Sequence, residues 1–317
     1  MNEPAGHPRF PPWLLMVGKL LIVAIIVWFV RGTLMGAISE IRQQKPTIDV
    51  AWLVLAGFLY LFGTLAAAVF WKRILHQMGQ DPRWRETLRA FMIGHLGKYV
   101  PGKAMVMILR IGLLKGPRVD AAVLAFSVFL ETLTMMAVGA GLSALILVAL
   151  YPDQRQLMVV SLIALAVAGI PTFPPVLRRL VKLVPSKARL SERVPLERVT
   201  YRLMAFGWFA MIIGWVLLGL SMWAVLRSLN APELYLARQF PLLIASVAVA
   251  MVAGFATPIP GGLGVRELVL AQLVAPTFGD ATAVISSALL RVVWLLSEVI
   301  VSVILYYAFH RDPDAEC

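Results

Sequence analysis

GHLGKYVPGKAMVMILR, at residues 94–110, combines three basic side chains with a proline-glycine break inside a strongly apolar chain. Proline removes a backbone hydrogen-bond donor and disfavours helix in the preceding residue, while glycine permits turns that are closed to other residues. The surrounding residues 88–115 are otherwise apolar enough for one helix. The break, at residues 97–103, therefore predicts two half-helices joined by irregular backbone.

The amino-acid composition indicates that this chain folds in a membrane and not in water. Of its 317 residues 60% are hydrophobic and 15% charged, and the mean hydropathy is +0.82, far from the values of soluble domains. We attribute the net charge of +12 to membrane topology and to attraction of anionic lipid headgroups, and we do not expect nucleic acid as a partner. The one cysteine, Cys317, leaves no pair for a disulfide and no cysteine cluster for a metal. No metal or cofactor is expected.

Six apolar runs are long enough to cross about 30 Å of hydrocarbon at about 1.5 Å per residue. The first is longer than the apolar core of a cleaved signal peptide, so we expect it to be a retained anchor helix. We predict an all-α polytopic membrane protein, a single integral membrane domain over residues 1–317, with about six full transmembrane helices. The runs are residues 13–30, 50–71, 119–150, 157–177, 203–226 and 283–309.

Basic residues predict the side of the membrane on which each loop lies. Residues 178–202 carry eight Lys and Arg against two Glu, so we expect a basic cytoplasmic loop there. A loop that sets topology on the inner leaflet is the simpler interpretation, and a dedicated regulatory or lipid-binding site is the alternative. With both termini in the cytoplasm, the expected location is the cytoplasmic (inner) membrane.

A second apolar segment, residues 240–274, is interrupted in the same way. TPIPGGLGVRE, at residues 257–267, contains two prolines and three glycines, and places the break near residues 257–265. Irregular backbone at membrane depth is tolerated only where protein or water satisfies its polar groups. Both breaks are therefore expected inside the protein, away from lipid.

The two breaks occupy matching places in the chain. Glu131 lies 30 residues after Pro101, and Arg291 lies 31 residues after Pro260. With a cytoplasmic amino terminus, the first broken segment dips in from the cytoplasm and the second from the outside. This predicts two re-entrant broken-helix elements in an inverted repeat. The first repeat is expected over residues 50–150 and the second over residues 203–309.

Residues beside the breaks are candidates for holding an anionic headgroup, since helix amino termini and cations both favour phosphate. After Pro101 a half-helix begins, and Lys103 and Arg110 fall seven residues apart on one of its faces. The alternative is that such side chains only reach the membrane interface. The substrate-binding candidates are Lys98, Tyr99, Lys103, Arg110, Glu131, Arg266, Glu267, Arg291 and Glu298. The loop-forming candidates are Pro101, Gly102, Pro258, Pro260, Gly261, Gly262 and Gly264.

Charges within the spans must find partners, because an ionised side chain in hydrocarbon is unfavourable. Arg291, Trp294 and Glu298 share one helix stripe, but the two charges are two turns apart and too distant for a direct pair. We expect partners from other helices, with Glu131 paired to Arg291. The alternative is that these charges form a structural ion network holding the bundle together.

LGKYVPGK at residues 96–103, VFLE at residues 128–131 and PIPGGLGVRE at residues 258–267 resemble the motifs of a known family. It is the lysylphosphatidylglycerol synthase transmembrane (flippase-like) family, and the resemblance covers nearly the whole chain. It implies lipid translocation: aminoacylated phosphatidylglycerol in some members, lipids of glycolipid or polyprenyl-phosphate pathways in others. Thr132 stands where members often carry an arginine, so an exact Glu-Arg role is not carried over. Because about eight residues follow the last span, we expect a stand-alone member without the aminoacyl-transferase domain.

The expected function is therefore that of a lipid flippase for an anionic or amphiphilic lipid, and not that of an enzyme. The alternatives are an intramembrane enzyme and a non-catalytic scaffold that assists a lipid-modifying enzyme. The sequence has no HExxH, GxSxG or P-loop motif, and we expect His95 to be an ordinary packed residue. Membrane phospholipids are the expected partners, with a second copy of the chain or a lipid-synthesising enzyme as further candidates. The lipid and the energy source are left open.

Overall fold

The described residues are all helical or irregular. The computed structural model describes residues 48–100, 104–114, 119–151, 153, 159, 163, 165–167, 169–183, 194–231, 236–257 and 259–308. Within these residues there is no strand, nine α-helices have defined bounds, and residues 159, 163, 165–167 and 169 are also helical. They are α1 Val50–Gln77, α2 Trp84–His95, α3 Met105–Leu114, α4 Ala121–Leu150, α5 Pro174–Leu183, α6 Tyr201–Ser228, α7 Leu236–Ala256, α8 Val265–Phe278 and α9 Asp280–Ala308.

Five of these helices are long and apolar enough to cross a membrane: α1, α4, α6, α7 and α9. The prediction of an all-α polytopic membrane protein is therefore confirmed. The runs predicted at 50–71, 119–150, 203–226 and 283–309 correspond to α1, α4, α6 and α9. Residues 13–30 lie outside the described part of the chain, and residues 157–177 are described only in part.

Side-chain caps and surface charges define the ends of the first span. The Asp49 carboxylate accepts a hydrogen bond from the Ala51 backbone N–H at 3.0 Å, which satisfies one of the free donors at the start of α1. At its other end α1 continues six residues beyond the predicted boundary, because the charged Lys72 and Arg73 are good helix formers and do not end the helix. The Lys72 ammonium bonds the Asp81 carboxylate at 2.9 Å, and this contact lowers the pKa of Asp81.

The first broken segment forms two short arms, as predicted. α2 has 12 residues and α3 has 10, so each is about 15 to 18 Å long and neither crosses the membrane. A 3₁₀ turn at Leu96–Tyr99 follows α2, and α2 and α3 pack together. This packing places Arg110 against Gly94, where any added side chain would overlap with it.

The second broken segment differs from the prediction in its first arm. α8 is a short arm of 14 residues, but α7 has 21 residues and the length of a complete span, about 31 Å. The predicted half-helix is wrong here because the helix begins at Leu236 and continues through Pro241. Proline is tolerated near the start of a helix, where fewer backbone donors have partners within the helix. A 3₁₀ turn at Pro260–Gly262 separates the two arms.

α1 and α6 form the central contact of the bundle. A carbon added to Gly63 would lie 3.1 Å from the Gly214 carbonyl oxygen, so small residues let the two backbones approach closely. Around this pair, the contacts of α1, α2, α3 and α4 have counterparts among α6, α7, α8 and α9. In the first set α1 and α2 both pack on α9, and in the second set α6 and α7 both pack on α4. Likewise α3 packs on α4 as α8 packs on α9.

Candidate functional site

The two breaks meet inside the bundle. The turn at Leu96–Tyr99 contacts the turn at Pro260–Gly262, and a carbon added to Gly261 would lie 3.2 Å from the Tyr99 ring. Tyr99 is 3% exposed, so its side chain is buried at this junction. Two turns that are about 160 residues apart in the sequence thus lie side by side inside the bundle.

Glycine is required in the second break for two reasons. Gly261 and Gly262 have φ angles of +59° and +63°, in the left-handed region that other residues rarely adopt. A carbon added to Gly262 would also lie 2.7 Å from the Cα atom of Gly254 in α7. The Gly262 N–H bonds the Ile259 carbonyl at 2.9 Å, which closes the turn. Gly264 then begins α8 with a φ of +79°, and it has open space around it.

Arg291 in α9 connects the second break to the carboxylate of α8. Its Nη1 donates to the Gly261 carbonyl at 3.0 Å and lies 3.0 Å from Oε1 of Glu267. This second contact is an ion pair without a hydrogen bond. Both Glu267 oxygens and Nη2 of Arg291 are buried without a hydrogen-bond partner among the described residues. Such atoms are costly to bury unless something bonds them.

Glu298 lies two turns farther along α9 and joins four elements. It accepts hydrogen bonds from the Lys98 ammonium in the first break and from the Tyr60 hydroxyl in α1. Nε2 of His95, at the end of α2, is 3.9 Å from the same carboxylate. The Tyr60 ring stacks on Trp294 with 4.6 Å between the ring centroids, which fixes the side of α9 that faces α1.

Arg266 differs from the other cations of this region in lacking an acidic partner. Its side chain packs against Gly254 and Gly262, and its Nε is buried without a hydrogen-bond partner among the described residues. Within that part of the chain no carboxylate lies within 4.0 Å of its guanidinium. An unpaired guanidinium at this position favours an anion.

These groups surround a cavity of about 420 Å³, part of which is open to the surroundings. Three cations and one carboxylate face it among the described lining residues, which leaves an excess of positive charge. The polar lining of the cavity consists of Lys98, Tyr99, Arg266, Glu267, Ser287 and Arg291, and the rest is apolar or aromatic.

Comparison with known families now identifies the chain. The family model described as lysylphosphatidylglycerol synthase TM region matches residues 16–302. The chain belongs to this family. Membership supports a membrane protein related to lipid modification or transport. Among curated proteins, none matches the chain closely enough to count as a relative.

In this member of the lysylphosphatidylglycerol synthase TM region family, the predicted pair of Glu131 and Arg291 does not form. Glu131 in α4 instead bonds Nη1 of Arg110 in α3 at 2.7 Å. Arg110 is 1% exposed, and its guanidinium also stacks over the rings of Phe91 and Trp71. The prediction was wrong because Arg110, on the second arm of the first break, reaches the neighbouring span α4, while Arg291 is held by Gly261 and Glu267.

The sequence candidates therefore divide into groups. Lys98, Tyr99, Arg266, Glu267 and Arg291 line the cavity, and Glu298 lies directly behind Lys98. Arg110 and Glu131 line neither of the two described cavities, and their binding role stays a prediction. Pro260, Gly261, Gly262 and Gly264 lie in the turn between α7 and α8. Pro101, Gly102, Lys103 and Pro258 lie outside the described residues.

Sequence reasoning missed two members of the site in this family member. Tyr60 was not a candidate, although a phenol in an otherwise apolar span is a signal that its hydroxyl has a buried partner. His95 was expected to be an ordinary packed residue, yet it faces Glu298. Both side chains also line a second, mostly apolar cavity of about 410 Å³ between α1, α2, α4, α6 and α7.

Proposed function

We propose that this protein moves an anionic phospholipid between membrane leaflets by admitting its headgroup to the cavity beside the two breaks. The observation that carries the proposal is a pair of buried guanidinium nitrogens beside that cavity that have no hydrogen-bond partner among the described residues, Nε of Arg266 and Nη2 of Arg291. A phosphate that enters between Arg266 and Arg291 would receive charge-assisted hydrogen bonds from both guanidiniums. The acyl chains would remain in the bilayer.

The position of α8 supports the same ligand. α8 begins at Val265, directly beside Arg266, and Gly264 provides no side-chain cap for its first backbone N–H groups. Uncapped helix amino termini favour anions through their free donors and the helix dipole. The cations that line the cavity and the amino terminus of α8 would therefore attract the same anion.

The matched contacts of the two helix sets support an arrangement as an inverted repeat. In such proteins a site at the repeat interface is reached alternately from the two sides when one half rocks against the other. We propose the repeats of residues 50–150 and 203–309 as these halves, in the cytoplasmic membrane with both termini in the cytoplasm. The breaks, which meet at Tyr99 and Gly261, would then lie on the axis between the halves.

The experiment is a lipid-movement measurement in liposomes that contain the purified protein. A fluorescent phosphatidylglycerol is added, and an impermeant reductant reports how much of it occupies the outer leaflet; a fluorescent phosphatidylcholine, whose headgroup has no net charge, is the comparison. We expect faster movement of phosphatidylglycerol and a loss of about tenfold or more in Arg266→Ala, the size expected for one lost charge-assisted contact. Arg202→Ala removes an exposed arginine outside the cavity and serves as the matched control.

Two outcomes contradict the proposal. Equal movement of both lipids would show that the cavity does not select an anion. No movement of either lipid by folded protein would favour the scaffold alternative, in which the chain assists a lipid-modifying enzyme.

A further inference from the structure

Glu298 is in contact with side chains that line both described cavities. Its partner Lys98 lines the polar cavity, whereas Tyr60 and His95 line the apolar one. Met251 lines both, so the two cavities are neighbours. A change in the partners of Glu298 therefore affects the lining of both cavities.

The surroundings of Glu298 contain few groups that can hold its charge. Lys98 comes from the first break, Tyr60 from α1, His95 from α2 and Tyr99 from the turn after it. Arg266 and Arg291 act on Lys98 from the side of the polar cavity. α6 contacts this part of α9 through Ser221, which bonds Trp294 at 2.9 Å and carries no charge. Among the described residues, Lys98 is thus the one cation bonded to Glu298.

An anion in the polar cavity competes with Glu298 for Lys98. The Lys98 side chain is 15% exposed; it bonds Glu298 and also lines the polar cavity. The Glu298 side chain is 2% exposed. If the ammonium turns to a phosphate between Arg266 and Arg291, Glu298 keeps the Tyr60 hydroxyl but loses its bonded cation. A buried carboxylate without a cation is strongly disfavoured in its ionised form.

We infer that Glu298 takes up one proton when an anionic headgroup binds Lys98, so that headgroup movement is coupled to proton movement. This inference rests on the proposed function. The proton comes from water and forms the O–H bond of the neutral carboxylic acid, while Lys98 stays protonated and transfers its hydrogen bond to the phosphate. Lipid and proton enter together, and they leave together when Lys98 returns to Glu298.

The test measures proton uptake during lipid binding. Purified protein in detergent and weak buffer is titrated with dihexanoyl phosphatidylglycerol at pH 7, with a pH-indicator dye for protons and calorimetry for binding. The phosphate of this lipid stays ionised at pH 7, so it contributes no proton change. We expect uptake of about one proton per bound lipid in the unmodified protein.

Variants identify the group that takes up the proton. Glu298→Gln keeps an acceptor for Tyr60 but no longer titrates, so proton uptake should disappear while binding persists and tightens by about fivefold or more, since Lys98 is free. Asp81→Asn removes the surface partner of Lys72 and should leave uptake unchanged. Uptake that persists in Glu298→Gln would overturn the assignment.

Binding and proton uptake measured on the unmodified protein distinguish this inference from the proposed function without any variant. Binding without proton uptake would overturn the coupling and leave the proposed function standing. Absence of phosphatidylglycerol binding would overturn both. A second measurement applies a pH difference across liposomes: it should change the rate of phosphatidylglycerol movement in the unmodified protein, and an unchanged rate would also overturn the coupling.

Discussion

Arg110 and Glu131 form a buried ion pair at 2.7 Å between the second arm of the first break and the span that follows it. Glu267 and Arg291 join the corresponding helices of the second half, α8 and α9, 3.0 Å apart, with the signs of the charges exchanged. The Arg110 and Glu131 side chains are closed off, 2% and 4% exposed, whereas Glu267 and Arg291 line the cavity and are 19% and 9% exposed. The ion pair between these helices thus serves packing in one half and faces a ligand volume in the other.

The first prediction concerns the partner of Glu131. Glu131→Gln or Arg110→Gln alone leaves one buried charge unpaired, and each should destabilise the protein by about 3 to 5 kcal/mol. The double variant should recover much of the loss. Glu131→Gln combined with Arg291→Gln should instead be additive to within about 0.5 kcal/mol, since those residues share no contact. Thermal unfolding in detergent measures the stability of each single and double variant. Recovery in the Glu131 and Arg291 double variant, without recovery in the Glu131 and Arg110 double variant, would contradict the observed pairing.

Local chemistry explains which parts of this fold the sequence predicted. Proline and glycine act on the backbone within one or two residues, so both breaks were predictable from the letters alone. The spans were predictable because a helix must be apolar over the membrane thickness. The boundary at α1 was less accurate, because Lys72 marks the edge of the apolar run and does not end the helix.

The packing of the helices against one another explains which contacts could not be predicted from the sequence. A buried charge reveals that it has a partner but not which one, because helix rotation and depth decide the choice among several candidates. Arg110 pairs with Glu131 because α3 packs on α4, whereas Arg291 is turned towards α8 and the second break. Tyr60 and Lys98 approach Glu298 only because α1, the first break and α9 converge, and nothing in the local sequence of any one of them indicates this.

The second prediction concerns the close backbone approach at Gly262. Gly262→Val introduces a side chain where an added carbon meets Gly254 at 2.7 Å, so lipid movement should be abolished while most of the protein still folds. Gly264→Val is the matched control: its φ is also positive, but its surroundings are open. Both variants carry backbone strain of about 1 to 2 kcal/mol, and Gly262→Val alone has the overlap.

The readout for these two glycines is phosphatidylglycerol movement in liposomes, normalised to folded protein. Movement in Gly262→Val as fast as in Gly264→Val would indicate that the second break is only a connection between helices.

The third prediction concerns topology. In a protein whose Cys317 is replaced by serine, a cysteine at Glu197 should react with an impermeant thiol reagent only after the cells are opened, because positive charge keeps residues 178–202 in the cytoplasm. A cysteine at Ala281, exposed at the start of α9, should react in intact cells. Labelling of both positions from one side would contradict the inverted arrangement.

The fourth prediction concerns the one carboxylate among the described residues that line the polar cavity. Glu267→Gln removes a negative charge that competes with the ligand for Arg291, while Arg291 keeps its bond to the Gly261 carbonyl. Affinity for dihexanoyl phosphatidylglycerol should rise by about tenfold, because a unit charge at this distance contributes on the order of 1 to 4 kcal/mol in a partly wetted site. Glu267→Asp keeps the charge and should bind nearly as the unmodified protein does. Calorimetry with this lipid and with dihexanoyl phosphatidylcholine measures the change, and an equal gain for the uncharged headgroup would show that Glu267 acts through cavity shape and not through its charge.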